Sequence, residues 1–430
     1  MYKDSKTFKI FVHIFIGLFR LAHNIVILLF HKMYHNKNII HIAFVGPIHS
    51  QHFVNFLQKV EQHFANDNIK IIQINSDPNY LNRDFSFNKL IIDGSIYTLC
   101  GYYLSREVWQ KTLFLNAVNK IGNISVRYIV LNIACLKPDI LWIHDLQSGG
   151  YLVENFIDHF RKINPRALIC ASVYGNDLYF FENSPVHKDK LRYLIRNLDF
   201  LHIESEREKA LAKELGFTGK FFPVSNVTMA DIQNFRKYES DCCLAVKDIF
   251  VVIKGSYFWR SNLLSFLDDI EMDFTFWKDK RIYVVNATDE DIFHLLRVKN
   301  KLNLDLDYCK AIPHKEFVHL LSKAKFFLTL NLSDGIPNAA AEATYVNCIP
   351  VFSSHTGLSN SLNYHIAKFI VFEFGKVNFK YLFTKLSDLN EVDVIFLINS
   401  LKSTFENYLY NDRIQRGILD DILKHAKRKS

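Results

Sequence analysis

The chain has 430 residues, 49% of them hydrophobic and 14% aromatic, and 52 Lys and Arg against 44 Asp and Glu leave a formal charge of +8. That apolar content excludes a disordered chain, and the length exceeds what one hydrophobic core usually organises, so two domains are expected. The positive balance suits anionic partners such as nucleoside diphosphates, anionic lipid headgroups or nucleic acid, and by itself selects none of them.

The first element is an apolar stretch over residues 8–30, about long enough to span a bilayer. Lys9, His13, Arg20, His23 and Asn24 interrupt it, and Lys3, Lys6, Lys32 and Lys37 flank it. A spanning helix would therefore be costly, and no small-residue cleavage site precedes His31 and Lys32 to mark a secretory signal. The expectation is an N-terminal helix, 1–37, lying on the anionic cytoplasmic face of a membrane. A helix packed onto the protein itself is the alternative.

From residue 39 strand and helix signals alternate. Residues 39–45 form an apolar run rich in β-branched side chains, Gly46-Pro47 breaks it, and the next helix sets Phe53, Leu57, Val60 and Phe64 on one face. Further strands are expected at 69–74, 139–143, 167–173 and 200–203, and helices at 151–163 and 205–215. This alternation argues for an α/β, parallel, doubly wound sheet over a first domain, 38–235. The polar, weakly periodic stretch 223–247 holds the boundary. A second domain, 245–390, then repeats the pattern: strands at 249–253, 282–285, 326–330 and 348–352, with helices starting near Asn262 and at 290–298 and 315–323. A helical segment, 391–430, follows, with Ile414, Ile418 and Ile422 on one stripe and a basic end, 424–429, that reads as a solvated tail.

The segment Ser333-Asp334-Gly335-Ile336-Pro337-Asn338-Ala339-Ala340-Ala341-Glu342-Ala343 carries the most chemistry. It follows an apolar strand and opens a helix. Gly335 permits close approach of backbone to a ligand, Pro337 suits a helix start, and the free amides there attract an anion such as a diphosphate. Asp334 and Glu342 bracket the loop and can accept hydroxyl protons of a sugar or ribose. A helix cap followed by a solvated Glu would give the same local sequence.

A second cluster, Val252-Ile253-Lys254-Gly255-Ser256-Tyr257-Phe258-Trp259-Arg260, ends a strand in one cation and places another six positions on. Lys254 and Arg260 together can meet a diphosphate and stabilise the charge that develops as it leaves. Two solvated cations at a strand end are the plain alternative. In Leu141-Trp142-Ile143-His144-Asp145 a His stands at the carboxyl end of a strand, where open α/β sheets bind ligands, although a lone strand-end His is more often structural.

The Asp-x7-Glu spacing, with Gly-x-Pro-Asn inside it and Glu-Ala closing it, resembles the donor-site signature of family-four retaining glycosyltransferases, in a variant of a bacterial surface-polysaccharide subgroup that has Asp in place of the usual first Glu. The resemblance implies the GT-B fold, two Rossmann-like doubly wound domains facing a cleft, with the C-terminal helical segment packing back on the first domain. It implies that Asp334 contacts the donor sugar and Glu342 the ribose hydroxyls, that Gly335, Ile336, Pro337 and Asn338 line the donor, and that Lys254 and Arg260 are the cation pair opening the second domain, in an order that departs from the family's. The stretch through Gln147-Ser148-Gly149-Gly150 is similar to the first-domain catalytic loop and makes His144 the expected contact to the sugar. Tyr174-Gly175-Asn176-Asp177 resembles a Gly-Ser-Asp element, and Gly46-Pro47-Ile48-His49-Ser50 resembles the first strand–helix loop. Asp177 and His49 are thus expected on the acceptor side.

Several motifs are missing. No Gly-x-Gly-x-x-Gly follows the first strand and no P-loop occurs, against a dinucleotide oxidoreductase or a P-loop kinase; no His-Glu-x-x-His or carboxylate triplet points to a metal. Seven cysteines include no Cys-x-x-Cys pair, and Cys135, Cys170 and Cys348 lie in apolar runs, which reads as reduced thiols of a cytosolic protein. The aromatic residues fall mostly in core patterns, and no basic groove motif supports nucleic-acid binding. The combined expectation is a retaining enzyme with a UDP or GDP sugar as donor substrate, no cofactor and no metal, and a glycan or lipid-linked acceptor, held peripherally at the inner membrane face. A non-catalytic binding scaffold of the same fold is the reading from another class.

Overall fold

A computed structural model of the chain describes residues 40–47, 50–65, 67, 69–75, 96–98, 137–154, 157–230, 232–239, 244–255 and 262–429. The expected N-terminal helix, His49 and Arg260 lie outside these described residues. Among them, no helix is long and apolar enough to cross a membrane.

The first sheet contains β1 (Ile40–Gly46), β2 (Ile69–Asn75), β3 (Ile96–Thr98), β4 (Ile140–His144), β5 (Leu168–Val173), β6 (Phe200–Ile203) and β7 (Lys220–Phe221), in the spatial order β3-β2-β1-β4-β5-β6-β7. β1 pairs in parallel with β2 on one side and β4 on the other, Phe44 lying opposite Trp142. Central parallel strands are covered on both faces and therefore read as continuous apolar runs. Phe44, Val45 and all of β4 are fully buried, and helix Gln51–His63 adds Phe53, Phe56, Leu57 and Val60 at helical spacing. Phe44, Phe56 and Trp142 meet with ring centroids 5.4 to 5.9 Å apart.

The second sheet contains β8 (Ile249–Lys254), β9 (Ile282–Val285), β10 (Leu306–Tyr308), β11 (Ala324–Thr329), β12 (Ile349–Ser353) and β13 (Val371–Phe372), in the order β10-β9-β8-β11-β12-β13. The pairings are parallel. The chain winds outward from β8 to β10, returns to β11 beside β8, and winds outward again, so β8 and β11 flank the topological switch point. Helices Leu263–Met272, Asp289–Leu302, His314–Ser322 and Asn338–Tyr345 cover this sheet. Trp277 is fully enclosed, with Phe250, Phe266, Phe276 and Phe383 edge-on at 5.0 to 5.9 Å. Trp277→Ala empties that nest and is expected to cost about 3–5 kcal/mol, read as a fall in the denaturant midpoint at unchanged m-value.

The C-terminal segment forms helix Glu391–Thr404, a wide turn Phe405–Leu409 and helix Asp412–Lys429. The chain divides into two compact units, residues 1–171 with 197–200 and 420–430, and residues 172–196 with 201–419. Within the first unit the end of the last helix is tied down by His63 Nε2 and Asp420 Oδ1 at 2.8 Å and by the Phe200 and His425 rings at 5.0 Å.

Candidate functional site

The switch point of the second sheet is bordered by the residues the sequence singles out. Lys254 is the last residue of β8, opposite Thr329 of β11 and Val285 of β9. The turn after it is pinned: Gly255 N donates to Val285 O at 2.7 Å, and a Cβ at position 255 would lie 3.0 Å from the carbonyl oxygens of Asn286 and Val285. Glycine stands there because backbone comes that close.

After β11 the chain runs through the Asp334 loop into helix Asn338–Tyr345, with Pro337 as the residue that caps its start. The loop is held from several directions. Asn331 Nδ2 donates to Asp334 Oδ2 at 2.7 Å and Gly335 N to Asp334 Oδ1 at 3.0 Å. Gly357 N and Arg207 Nη2 both donate to Asp334 O, each at 2.8 Å. The Asn338 side chain accepts from Asn226 Nδ2 at 3.2 Å and from the Tyr410 hydroxyl. Glu342 stands about one turn inside the helix, buried, with Oε1 2.7 Å from His314 Nε2.

Gly335 has a neighbour that sequence spacing did not reveal. A Cβ at 335 would overlap Glu204 Oε2 and press on Gly175 N, and a Cβ at 175 would overlap the 334–335 backbone. The close approach to Gly335 is thus made by protein atoms, a carboxyl from the end of β6 and the Gly175 turn. Glu204 is fully enclosed. Its Oε2 accepts from Ile336 N at 3.1 Å, and its Oε1 accepts from Val227 N at 3.3 Å and Asn226 Nδ2 at 3.4 Å. Burial first, then the Asp334 and Glu208 carboxylates, push the Glu204 carboxyl up to about 8, against the Ile336 and Val227 amides, which pull it down.

Arg207 serves the same loop. Its guanidinium lies 4.0 Å over the Tyr179 ring, contacts Glu208 Oε1 at 2.5 Å and donates to the backbone oxygens of Asp334 and His355. The Tyr179 hydroxyl and His355 Nδ1 lie 2.7 Å apart. Asp177, on the Gly175 turn, is buried and accepts from Tyr174 N at 3.0 Å, so it caps that short helix.

In the first unit, His144 ends β4 fully buried, its ring 4.8 Å from Phe56 and 5.2 Å from Phe53. Asp145 adopts φ 71°, and its Oδ1 accepts from Gln147 N and Ser148 N. Gly149 is fixed by backbone: a Cβ would sit 2.7 Å from Val45 O.

The structure therefore brings Lys254, Asp334, Gly335, Ile336, Pro337, Asn338 and Glu342 to the carboxyl edge of one sheet, and seats the Asp177 turn against the loop through Gly175. Glu204, Arg207, His314 and His355 join them without a sequence motif. One signal was available for Glu204, a carboxylate directly after an apolar strand and before a helix. The His314 imidazole is raised above its ordinary 6.5 by the hydrogen bond to Glu342, against desolvation. Its contribution to stability is complete below 6.5 and lost as pH rises through the raised value. An NMR titration should find His314 above 6.5, and Glu342→Gln should return it toward 6.5. An unmoved titration would break the pairing.

Among the described residues, no group of three or more His, Cys, Asp or Glu is placed to hold a metal ion. No protein-family model and no curated protein matches the chain by sequence. Solved structures do match. OtsA in its apo form is 12% identical with a TM-score of 0.63, covering 89% of this chain and 98% of its own. HepE of Anabaena, in complex with UDP and glucose, is 12% identical at 0.58, covering 90% and 100%. The lipopolysaccharide outer core galactosyltransferase WaaB, apo, is 13% identical at 0.53, covering 90% and 100%. At such identities the likeness establishes the fold: α/β, GT-B, with two Rossmann-like parallel-sheet domains.

Proposed function

We propose that the chain is a retaining glycosyltransferase that moves a sugar from a UDP- or GDP-linked donor to a glycan or lipid-linked acceptor in surface-polysaccharide biosynthesis, such as lipopolysaccharide or capsule. The observation that carries this reading is the placement of Lys254, the Asp334 loop and Glu342 around the switch point of the second sheet. The complex of HepE with UDP and glucose supports a donor of that class on this fold.

In this reading Lys254 and Arg260 hold the diphosphate with help from the start of helix Asn338–Tyr345, Glu342 holds the ribose, and Asp334 orients the transferred sugar. His144 is assigned to the sugar by the sequence resemblance, and His49 and Asp177 to the acceptor side. The bond from the anomeric carbon to the diphosphate oxygen breaks, a bond to the acceptor oxygen forms on the same face, and the departing phosphate takes the acceptor's proton. Lys254 and Arg260 stabilise the negative charge that grows on the leaving group. The reaction is expected to proceed without added Mg²⁺ or Mn²⁺ and to survive chelation. We further assign the N-terminal segment to the inner face of the cytoplasmic membrane, so that removing residues 1–36 should release the protein from the membrane fraction.

Screening the purified protein against nucleotide sugars, with free nucleotide as the readout, tests the activity. Asp334→Ala and Glu342→Ala should each lower turnover by about 10²-fold or more, and full turnover in either would oppose the reading. One observation favours a non-catalytic scaffold instead: the amides of Gly335 and Ile336 already donate to Asp334 and Glu204. Thermal shifts with UDP, GDP and ADP separate the two, since a scaffold without a nucleotide site would respond to none.

A further inference from the structure

We infer, on the basis of the nucleotide-sugar reading above, that Glu204 is a positioning residue of the donor site: its carboxyl joins the Ile336 amide to the 226–227 turn, sets the loop that carries Asp334, and by its proton state governs how tightly a nucleoside diphosphate is held. The contact is built into the packing. Gly335 leaves room for Glu204 Oε2 that any side chain at 335 would fill, and Gly175 lies against the 334–335 backbone from its own turn. Both carboxyl oxygens are used, Oε2 on Ile336 N and Oε1 on Val227 N and Asn226 Nδ2.

The surrounding charges do not balance if every acid is ionised. The Asp334 loop contributes the Asp334 carboxylate, and helix Glu206–Glu214 contributes Glu208 and Arg207, already bound to each other. The 225–228 turn brings Ser225, Asn226 and Thr228, with no titratable group. Gly175 and Asp177 lie on the neighbouring turn, Asp177 spent on Tyr174 N. Tyr410, on the chain after the 405–409 turn, is buried and held well above its ordinary value, first by burial and then by Glu204, Glu342 and Asp334, so it stays neutral. His202, on the same strand as Glu204, is held uncharged by burial, its Nε2 2.9 Å from Ser225 Oγ. Arg207 is the cation of helix Glu206–Glu214 that reaches the group, bound to Glu208 and to the Asp334 backbone oxygen, while Lys209 pairs with Glu206. Like charges enclosed together do not all ionise: Glu208 is paired with Arg207, whereas Glu204 is met by amides alone and is pushed up to about 8, first by burial and then by Asp334 and Glu208.

A nucleoside diphosphate placed at the helix start adds negative charge beside this carboxyl and favours the neutral form further. By linkage its affinity then falls as pH rises past about 8, by about tenfold for each unit by which the bound diphosphate raises the Glu204 ionisation. Glu204→Gln keeps the shape and removes the titration, and its amide oxygen can accept from only one of the two sides, Ile336 N or the Val227 and Asn226 pair.

Calorimetric titration of the full chain with UDP and GDP from pH 6.5 to 9.5 tests this. The wild type is expected to lose about tenfold in affinity across pH 8, on the same linkage, whereas Glu204→Gln binds with one affinity throughout. A wild-type affinity that is level with pH, or a Gln variant that keeps the wild-type slope, overturns the inference. Thermal stability without nucleotide gives an independent reading. A carboxyl raised from 4.5 to about 8 contributes stability below 4.5 that is lost as pH rises through that window. The wild type should therefore lose stability relative to Glu204→Gln between those values, whatever the offset between them at low pH, and a constant gap overturns the inference. Absence of UDP and GDP binding by the wild type at every pH defeats the nucleotide-sugar reading itself and takes this inference with it.

Discussion

Lys254→Ala is expected to slow sugar transfer by about 10²–10³-fold, equivalent to about 3–4 kcal/mol of lost transition-state stabilisation. Charge builds on the diphosphate only as the bond to the sugar breaks, so a cation at that oxygen helps the transition state more than the bound donor. The role proposed for Lys254 suits its position, since its backbone is held on both sides. It closes β8 with strands on both sides in register, and the next peptide is fixed by Gly255 N on Val285 O at 2.7 Å. Lys254→Arg keeps the charge but spreads it over a planar fork, so it should recover only part of the rate. Single-turnover kinetics separate the outcomes. A loss in kcat and kcat/KM together fits the account, whereas a rise in KM alone assigns Lys254 to ground-state binding.

Gly175→Ala is expected to lower stability by about 1–3 kcal/mol and to abolish UDP binding, because the added methyl would overlap the peptide between Asp334 and Gly335. No flexible side-chain end can yield there. The loop would have to withdraw, straining the bonds that Ile336 N, Gly357 N and Arg207 make to hold it. Gly417→Ala is the control: a Cβ there meets nothing within 4 Å, in the interior of helix Asp412–Lys429, and the change should be neutral or stabilising by up to about 1 kcal/mol. Denaturant midpoints measured side by side decide. Equal stability of the two variants would contradict the packing of Gly175 on Gly335.

The sequence expectations succeeded where a local signal and the fold agree. β6 matches the expected 200–203 run, and β8 and β9 lie where continuous apolar runs place buried parallel strands. β10 and β13 were not expected. They have three and two residues at the sheet edges, too short for periodicity to register. The stripe read as Ile414, Ile418 and Ile422 is wider in the structure: Ile414 is half-buried, and Leu419, Leu423 and Ala426 join the buried face.

At the site, the Asp334–Glu342 spacing could be read because one strand, one turn and one helix carry it. Glu204, Arg207, His314 and His355 could not be read in the same way. Their partners lie 132, 127, 28 and 176 positions away, and spacing along the chain carries no trace of such contacts. Gly335 shows the difference most directly. Its glycine was expected to admit a ligand, and in the structure it admits the Glu204 carboxyl and the Gly175 backbone.

The most direct test of the central claim is a crystal structure of the protein with UDP bound. The diphosphate is expected about 3 Å from Lys254 Nζ and the ribose hydroxyls on Glu342, one nucleotide touching both. UDP bound elsewhere, or touching one of these residues with the other out of its reach, would contradict it.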